Sequence, residues 1–270
     1  MSAVSVPIRA EILDRLRAIE AEEDVRIVYA CESGSRAWGF PSADSDYDVR
    51  FLYVRPPDWY LSIDVERRRD VIERPISMAD SGAVLDLSGW DLRKALGLLR
   101  KSNGPLLEWL GSPIAYYEVT PCVSALRGLA AAAFQPRAAY HHYRSMAQRT
   151  YETHLCGDSV RAKKYFYALR PLLAVRWIEA SLGPVPTAFG TLLDAVAPSD
   201  AFRATVTALI EAKRTGSEAD ARQPITALQA FVENELDRLN RDRPDLPTAS
   251  FPLVQLNAFF RETVEAAWAE

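Results

Sequence analysis

The sequence predicts an α+β protein, with a small mixed β-sheet and helices followed by an all-α C-terminal region. Short runs of β-branched and apolar residues, which are typical of strands, recur within residues 1–120. Beyond residue 120, apolar residues recur at the three- and four-residue steps of helices. Proline and glycine breaks separate the two parts, so we predict domains at residues 1–120 and 121–270.

The first predicted element is a helix that ends near Glu23. Ser5 can cap its N-terminus, and Pro7 suits its first turn. Its apolar residues are spaced to form one face: Ile8, Ile12, Leu16 and Ile19. We expect this face to pack against the sheet.

Four strands are predicted in the first domain. Residues 25–31 form an apolar, β-branched run that stops at the serine-glycine turn of residues 33–35. Residues 49–54 form a second run, which a pair of prolines ends. Residues 70–73 and 83–87 supply two shorter strands.

The segment between the first two predicted strands carries the residues best suited to catalysis or ligand binding. Glycine at position 34 lets the backbone approach a ligand closely, and successive N–H groups at such a turn bind anions such as phosphate. Asp46 and Asp48 lie two residues apart at the start of a strand, so their side chains point to the same face. Two neighbouring carboxylates repel each other unless a cation lies between them, and Mg²⁺ prefers carboxylate and phosphate oxygens. The pattern indicates a paired-metal site for phosphoryl transfer.

Each half of this pattern has a structural alternative. The acidic segment alone fits a solvated turn, and the serine-glycine segment alone fits an ordinary loop; together they favour catalysis or nucleotide binding. A calcium-binding EF-hand loop that uses Asp44, Asp46 and Asp48 is excluded. Val49 occupies the position that requires glycine, and Arg55 occupies the position of the closing glutamate.

Three segments resemble a known family. They read Gly-Ser-Arg-Ala-Trp-Gly-Phe at residues 34–40, Asp-Ser-Asp-Tyr-Asp-Val-Arg-Phe at 44–51 and Gly-Trp-Asp-Leu-Arg-Lys-Ala at 89–95. The first two resemble the signature of the DNA polymerase β-like nucleotidyltransferase superfamily. All three resemble the predicted nucleotidyltransferases of the bacterial RNA repair pathway (RlaP-like).

The resemblance implies roles for individual residues. Gly34, Ser35 and Arg36 would bind the triphosphate of a nucleoside triphosphate, and Asp46 and Asp48 would bind two Mg²⁺ ions, for which Mn²⁺ can substitute. Paired metals of this kind lie about 3.5–4 Å apart.

The resemblance also implies a third carboxylate, supplied by a strand next to the one that carries Asp46 and Asp48. Asp86 stands alone among apolar residues of its strand, so it needs a metal or a cationic partner. We therefore favour Asp86 as the third catalytic and metal-binding acid over the alternatives Glu73, Asp80 and Asp91.

The predicted helix of residues 159–178 presents three polar side chains on one face. Lys163, Tyr167 and Arg170 fall at i, i+4 and i+7. A lysine and an arginine on one face can bind triphosphate oxygens. Together with the family resemblance, this spacing leads us to predict that all three side chains contact the nucleotide. The alternative is a solvated helix surface.

The resulting hypothesis is a metal-dependent nucleotidyltransferase that transfers a nucleoside monophosphate to a hydroxyl acceptor. The resemblance to the RNA repair group implies that the acceptor is an RNA end. Other acceptors stay open: a protein hydroxyl, as in AMPylation, or a small molecule. A non-catalytic nucleotide-binding regulatory or antitoxin-like module is a further alternative.

Composition restricts the other possibilities. The net charge of −4 and pI near 5.6 give no overall attraction to nucleic acid, so an RNA partner requires a local basic patch. Three widely spaced cysteines suit a reducing compartment and oppose a zinc site. No signal peptide or long apolar run is evident, so we expect a soluble cytoplasmic protein without a membrane partner.

Overall fold

The computed structural model describes residues 4–42, 45–79, 82–157, 159–215, 224–242, 244–248 and 251–269. Within these residues the strands form one mixed sheet in the order β3-β5-β2-β1-β6, and β4 pairs with β5. The strands are β1 (Arg26–Glu32), β2 (Tyr47–Val54), β3 (Val71–Glu73), β4 (Ser77–Met78), β5 (Val84–Asp91) and β6 (Ala115–Glu118).

Helices surround the sheet and make up most of the chain after β6. They are α1 (Val6–Glu23), α2 (Gly34–Trp38), α3 (Pro57–Tyr60), α4 (Leu92–Leu99), α5 (Gly104–Leu110), α6 (Thr120–Ala132), α7 (Pro136–His154), α8 (Lys163–Glu179), α9 (Phe189–Val196), α10 (Asp200–Arg214), α11 (Thr226–Arg241) and α12 (Leu253–Trp268). The predicted α+β class, with a mainly helical C-terminal part, is confirmed. Within the described residues, no helix has both the length and the apolar character that crossing a membrane requires.

The order of the central strands determines which side chains meet. β2 pairs antiparallel with β1 and parallel with β5, and this register places Asp48 opposite Asp86. Alternation along β2 buries Tyr47, Val49 and Phe51 in the core on the α1 face of the sheet. Asp48 and its neighbours at steps of two therefore point away from that core.

Three apolar cores stabilise the molecule. One lies between the sheet and α1, a second lies between the sheet and α4, α5, α6 and α12, and a third joins α7 to α11. Phe40, which follows α2, belongs to the third core and stacks on Phe166 of α8 with ring centroids 4.4 Å apart. The segment that follows β1 is therefore fixed to the helical part of the chain.

Two predicted elements differ from the observed ones, and two short strands, β4 and β6, were not predicted. β5 continues through Gly89 to Asp91, because a Cβ at Gly89 would lie 2.1 Å from the Phe51 ring and glycine alone allows this contact. The helix predicted for residues 159–178 begins only at Lys163. The sequence analysis contained no strand at β6, which is only four residues long.

The packing bears on the domain boundary. α6 and α12 follow residue 120 in the chain, yet both pack against the sheet in the second core. The division into residues 1–120 and 121–270 stays a prediction, and we propose that a structural division would group α6 and α12 with the sheet.

Candidate active site

A cleft of about 680 Å³ lies between the sheet and the helical region. The turn after β1 and the start of β2 supply one wall, with Ser33, Gly34, Ser35, Asp46, Asp48 and Arg50. Helices α8 and α10 supply the opposite wall, with Lys163, Tyr167, Arg170 and Lys213. Residues far apart in the sequence therefore meet in one polar cavity.

Gly34 lies directly against the carboxylate of Asp48. Its φ angle is +58°, and a Cβ at this position would lie 2.0 Å from Asp48 Oδ2. The Ser33 N–H also donates to the Asp48 carbonyl oxygen over 2.8 Å. A side chain on residue 34 would thus strain the backbone and collide with the acid, so glycine is required here.

Serine hydroxyls line the cleft beside this contact. Ser45 Oγ lies 3.2 Å from Ser35 Oγ and 2.9 Å from Ser42 Oγ. Ser42 and Ser45 were not predicted as site residues. Asp44, which the sequence analysis considered as a calcium ligand, lies outside the described residues.

The Arg36 side chain contacts the backbone of the acidic segment. Its Nη2 donates to the Ser45 carbonyl over 2.6 Å, and its Nε donates to the Asp46 carbonyl over 3.1 Å. The guanidinium also stacks over the Tyr47 ring at 3.8 Å. Arg36 is absent from the cleft lining and instead fixes the strand entry that carries Asp46.

Arg50 connects the acids of the two parallel strands. Its Nη2 donates to Asp48 Oδ1 over 3.0 Å and to Asp86 Oδ2 over 2.7 Å. The cationic partner that the sequence analysis required for Asp86 is thus an arginine of β2. Asp86 does not line the cleft itself and reaches it through Arg50.

The electrostatics of Asp48 reflect this crowding. Burial raises the pKa of Asp48, and the charges of Asp86 and Asp46 raise it further, whereas Arg50 lowers it. A cation at this position would therefore stabilise the carboxylate form.

The donor set fits a divalent ion in part. Asp46 and Asp48 both line the cleft beside the serine hydroxyls, and Mg²⁺ is commonly bound by one or two carboxylates together with substrate phosphates. Among the described residues, no group of three Asp, Glu, His or Cys side chains converges as a metal site. The Asp86 carboxylate is instead paired with Arg50 over 2.7 Å.

Glu32 is a buried carboxylate that the sequence analysis did not assign. It is fully buried at the end of β1, where Oε1 accepts the Asp48 N–H over 2.9 Å and Oε2 accepts the Tyr116 hydroxyl. Burial raises the pKa of Glu32 to about 7, although both hydrogen bonds act in the opposite direction. A glutamate between an apolar strand and the serine-glycine turn was the available signal, but its partner Tyr116 lies on the unpredicted strand β6.

The predicted face of α8 does border the cleft. Lys163, Tyr167 and Arg170 all line it. Tyr167 is 44% exposed, and its pKa is raised first by burial and then by the charge of Asp48. Lys213 of α10 was not predicted; it lies 4.7 Å from the Phe40 ring centroid, and no motif marks it in the sequence.

Arg170 differs from the expected solvent-facing cation. It is 1% exposed, and its Nη1 donates to Glu108 Oε1 over 2.7 Å. The Trp38 indole N–H donates to the other oxygen of Glu108 over 3.1 Å. Arg170 therefore forms the floor of the cleft and joins α8 to α5 and α2.

The alternative third carboxylates lie elsewhere. Asp91 accepts the Arg93 N–H over 2.8 Å as the cap of α4 and accepts the Tyr60 hydroxyl over 2.7 Å. Glu73 lies on β3, opposite Ser88 of β5. Neither lines the cleft, and Asp80 lies outside the described residues.

Comparison with known proteins identifies the family of this chain. A family model described as "RlaP: RNA repair pathway DNA polymerase beta family" matches residues 8–262. The chain belongs to this family. The resemblance of its motifs to the RlaP-like group is thereby confirmed, and the RlaP model extends across both the sheet and the helices.

Individual relatives are also similar. The Bacillus subtilis (strain 168) "Uncharacterized protein YcgL" is 45% identical over 263 residues, which cover 97% of this RlaP-family chain and 98% of that protein. A crystal structure of a nucleotidyltransferase-like protein from Exiguobacterium sibiricum 255-15 matches 95% of this chain and 77% of that chain, with a TM-score of 0.31 and 10% identity.

Proposed function

We propose that this RlaP-family chain transfers a nucleoside monophosphate from a nucleoside triphosphate to a hydroxyl acceptor, with Mg²⁺ or Mn²⁺ as the metal. The observation that supports this most is the contact between the Gly34 backbone and the Asp48 carboxylate. A phosphate-binding turn and a metal-binding acid would then act on the same triphosphate.

The turn and the opposite wall would hold the phosphates. The backbone N–H groups of Gly34 and Ser35, with the Ser35 hydroxyl, would bind the β and γ phosphates. Lys163 and Lys213 face them across the cleft and would neutralise part of their charge. Arg36 and Arg170 would position the two walls through the carbonyl and carboxylate contacts described above.

Asp46 and Asp48 would hold the divalent ions, with Asp86 as the third carboxylate. Divalent ions bound there polarise phosphoryl oxygens and lower the pKa of a bound hydroxyl. The acceptor oxygen forms a bond to the α-phosphorus, and the α–β phosphoanhydride bond breaks. Pyrophosphate departs, and the acceptor loses its proton to solvent. The two walls of the cleft stabilise the charge that develops on the leaving group.

The family description favours an RNA end as the acceptor. An acidic chain needs local basic groups to bind RNA. Residues 137–176, which include most of α7 and α8, carry eight Lys or Arg residues against two acids, Glu152 and Asp158. AMPylation of a protein hydroxyl and binding without turnover are the competing functions.

Transfer can be tested with the four α-labelled nucleoside triphosphates, Mg²⁺, RNA oligonucleotides and a bacterial protein extract. We expect labelled RNA with the native chain and no label with Asp46→Asn or Asp48→Asn. Asp14→Asn is the matched control, because Asp14 is exposed, forms an ion pair with the exposed Arg17 and does not line the cleft. Labelled protein with unlabelled RNA would favour AMPylation. Nucleotide binding without any labelled product would contradict catalysis and favour a regulatory module.

A further inference from the structure

Arg50 donates four hydrogen bonds through its two terminal nitrogens. Besides the two carboxylates, its Nη1 donates to the carbonyl oxygens of Asp86 over 2.9 Å and of Val49 over 3.1 Å. Its side chain is 17% exposed, whereas those of Asp48 and Asp86 are 30% and 31% exposed. The guanidinium thus lies between the two parallel strands in a preorganised geometry.

Arg50 also lines the same cleft as Asp46 and Asp48. Residues 46, 48 and 50 are related by steps of two along the chain, and the Asp86 carboxylate joins Arg50 from β5. A partly buried guanidinium therefore lies between the carboxylates of Asp48 and Asp86, and Asp46 lines the same cleft. Without a cation, their mutual repulsion would oppose the close pairing of β2 and β5.

We propose that Arg50 is an internal counter-ion that holds Asp48 and Asp86 together before a divalent cation binds, and that it competes with the cation for these carboxylates. This inference rests on the proposed metal-dependent function and adds to it a residue that sets metal affinity. Arg50 is a positioning residue, because it acts through the two acids.

Competition makes a prediction that a structural salt bridge does not make. If Arg50 stabilises only the metal-free state, its removal lowers metal-free stability and tightens metal binding, because the two effects are linked. If Arg50 only holds the fold together, its removal lowers stability equally with and without metal. The two roles therefore predict different effects of metal on the stability that is lost when Arg50 is removed.

The variants Arg50→Gln and Arg50→Lys separate these roles. Arg74→Gln is the matched control, because Arg74 also bridges two carboxylates, Glu22 at 3.0 Å and Glu23 at 2.9 Å, and lies outside the cleft lining. Mn²⁺ affinity is measured by electron paramagnetic resonance of free and bound Mn²⁺. Thermal unfolding is followed in EDTA and in saturating Mn²⁺.

We expect Arg50→Gln to melt earlier than the native chain in EDTA and to recover most of the difference in Mn²⁺. Its Mn²⁺ affinity should increase by about tenfold or more, the scale set by one unit charge within a few ångströms of the ion. The melting temperature and Mn²⁺ affinity of Arg50→Lys should lie between those of the native chain and Arg50→Gln. A lysine ammonium is a single point charge and lacks the planar guanidinium fork. Arg74→Gln should lower the melting temperature equally in both conditions and leave Mn²⁺ affinity unchanged.

Equal loss of stability in EDTA and Mn²⁺, with unchanged or weaker Mn²⁺ affinity in Arg50→Gln, would overturn the inference while leaving the transferase proposal intact. If Arg50→Gln does not fold, a Mn²⁺ affinity of Arg50→Lys no tighter than that of the native chain would overturn it. If the native chain binds no Mn²⁺ with or without nucleoside triphosphate, the metal-dependent function itself fails, and this inference fails with it.

Discussion

Single residues determine the geometry at the centre of the cleft. Gly34 combines a left-handed backbone conformation with contact to Asp48, and Arg50 occupies the space between Asp48 and Asp86. The sequence analysis identified the glycine and the acids from their spacing. It did not identify Arg50, because an arginine in a strand has no special pattern until the neighbouring strand is known.

Gly34→Ala tests the close contact. The new methyl group would lie 2.0 Å from Asp48 Oδ2, so the turn or the acid must move. A displacement of about 1 Å in a catalytic group can cost about a hundredfold in rate, and we expect a loss of nucleotidyl transfer on that scale. The measurement is initial-rate labelling of the preferred acceptor.

Gly39→Ala is the control for backbone strain. Gly39 has a φ of +96°, but a Cβ there would meet nothing within 4 Å. We expect it to cost about 1–2 kcal/mol of stability through strain alone and to retain transfer. Equal loss of transfer in both variants would contradict the importance of the Gly34–Asp48 contact.

Pairs of secondary-structure elements bring the acids together. The parallel pairing of β2 with β5 places Asp48 beside Asp86, and Asp91 at the end of β5 caps α4 instead. Strand identity was predictable from local composition. The pairing was not, because it depends on which strands share a core. β6, which supplies Tyr116 to Glu32, was not predicted as a strand.

The pH dependence of stability tests whether Asp91 is a structural helix cap and not an acid of the cleft. Burial raises the pKa of Asp91 above its ordinary value of 3.8, while hydrogen bonds from Tyr60 and Arg93 act in the opposite direction. Because the pKa of Asp91 is raised in the folded state, its stabilising contribution to the free energy of unfolding is fully present below about pH 3.8. That contribution is lost as pH rises through the folded-state pKa. Asp91→Asn keeps a capping acceptor and does not titrate.

The free energy of unfolding of Asp91→Asn, minus that of the native chain, should therefore increase as pH rises above 3.8. The increase should be about 1.4 kcal/mol for each unit of pKa elevation. Urea unfolding across a pH series measures it, and transfer activity should persist because Asp91 lies outside the cleft. A difference that falls with pH would show that the carboxylate is stabilised in its charged form.

At the scale of the whole molecule, the cleft exists because the helical part is fixed to the turn after β1. Phe40 packs into the helical core, Arg214 of α10 donates to the Gly39 carbonyl over 2.9 Å, and Arg170 pairs with Glu108. These contacts join residues up to 175 positions apart. We infer that the walls of the cleft move together and that nucleotide affinity depends on this packing.

Arg170→Met tests the buried ion pair. Its removal leaves Glu108 without its cation, and breaking a buried pair by removing one partner costs about 3–5 kcal/mol. The double variant Glu108→Gln with Arg170→Met should lose less, because no charge stays unpaired. Arg17→Met, from a pair whose side chains are more than two-thirds exposed, should change stability little.

Urea unfolding without nucleotide measures all three. A single variant as stable as the native chain would contradict the structural role of Arg170. It would then favour direct contact with phosphate, as the sequence analysis predicted.

The sequence by itself determined the fold class, the family motifs and the candidate acids. These features depend on short-range patterns: alternation along a strand, glycine at a turn and helical spacing. The common face of Lys163 and Tyr167 was also accessible in this way, because helix periodicity is fixed by backbone geometry.

Only the tertiary structure decided the partners of these residues. In the folded chain, Arg50 lies between Asp48 and Asp86. Glu32 is buried and accepts the Tyr116 hydroxyl, and Arg170 pairs with Glu108. The physical reason is that burial and ion pairing depend on which distant segments pack together. That choice is made by the whole set of cores, and no local pattern in the sequence records it.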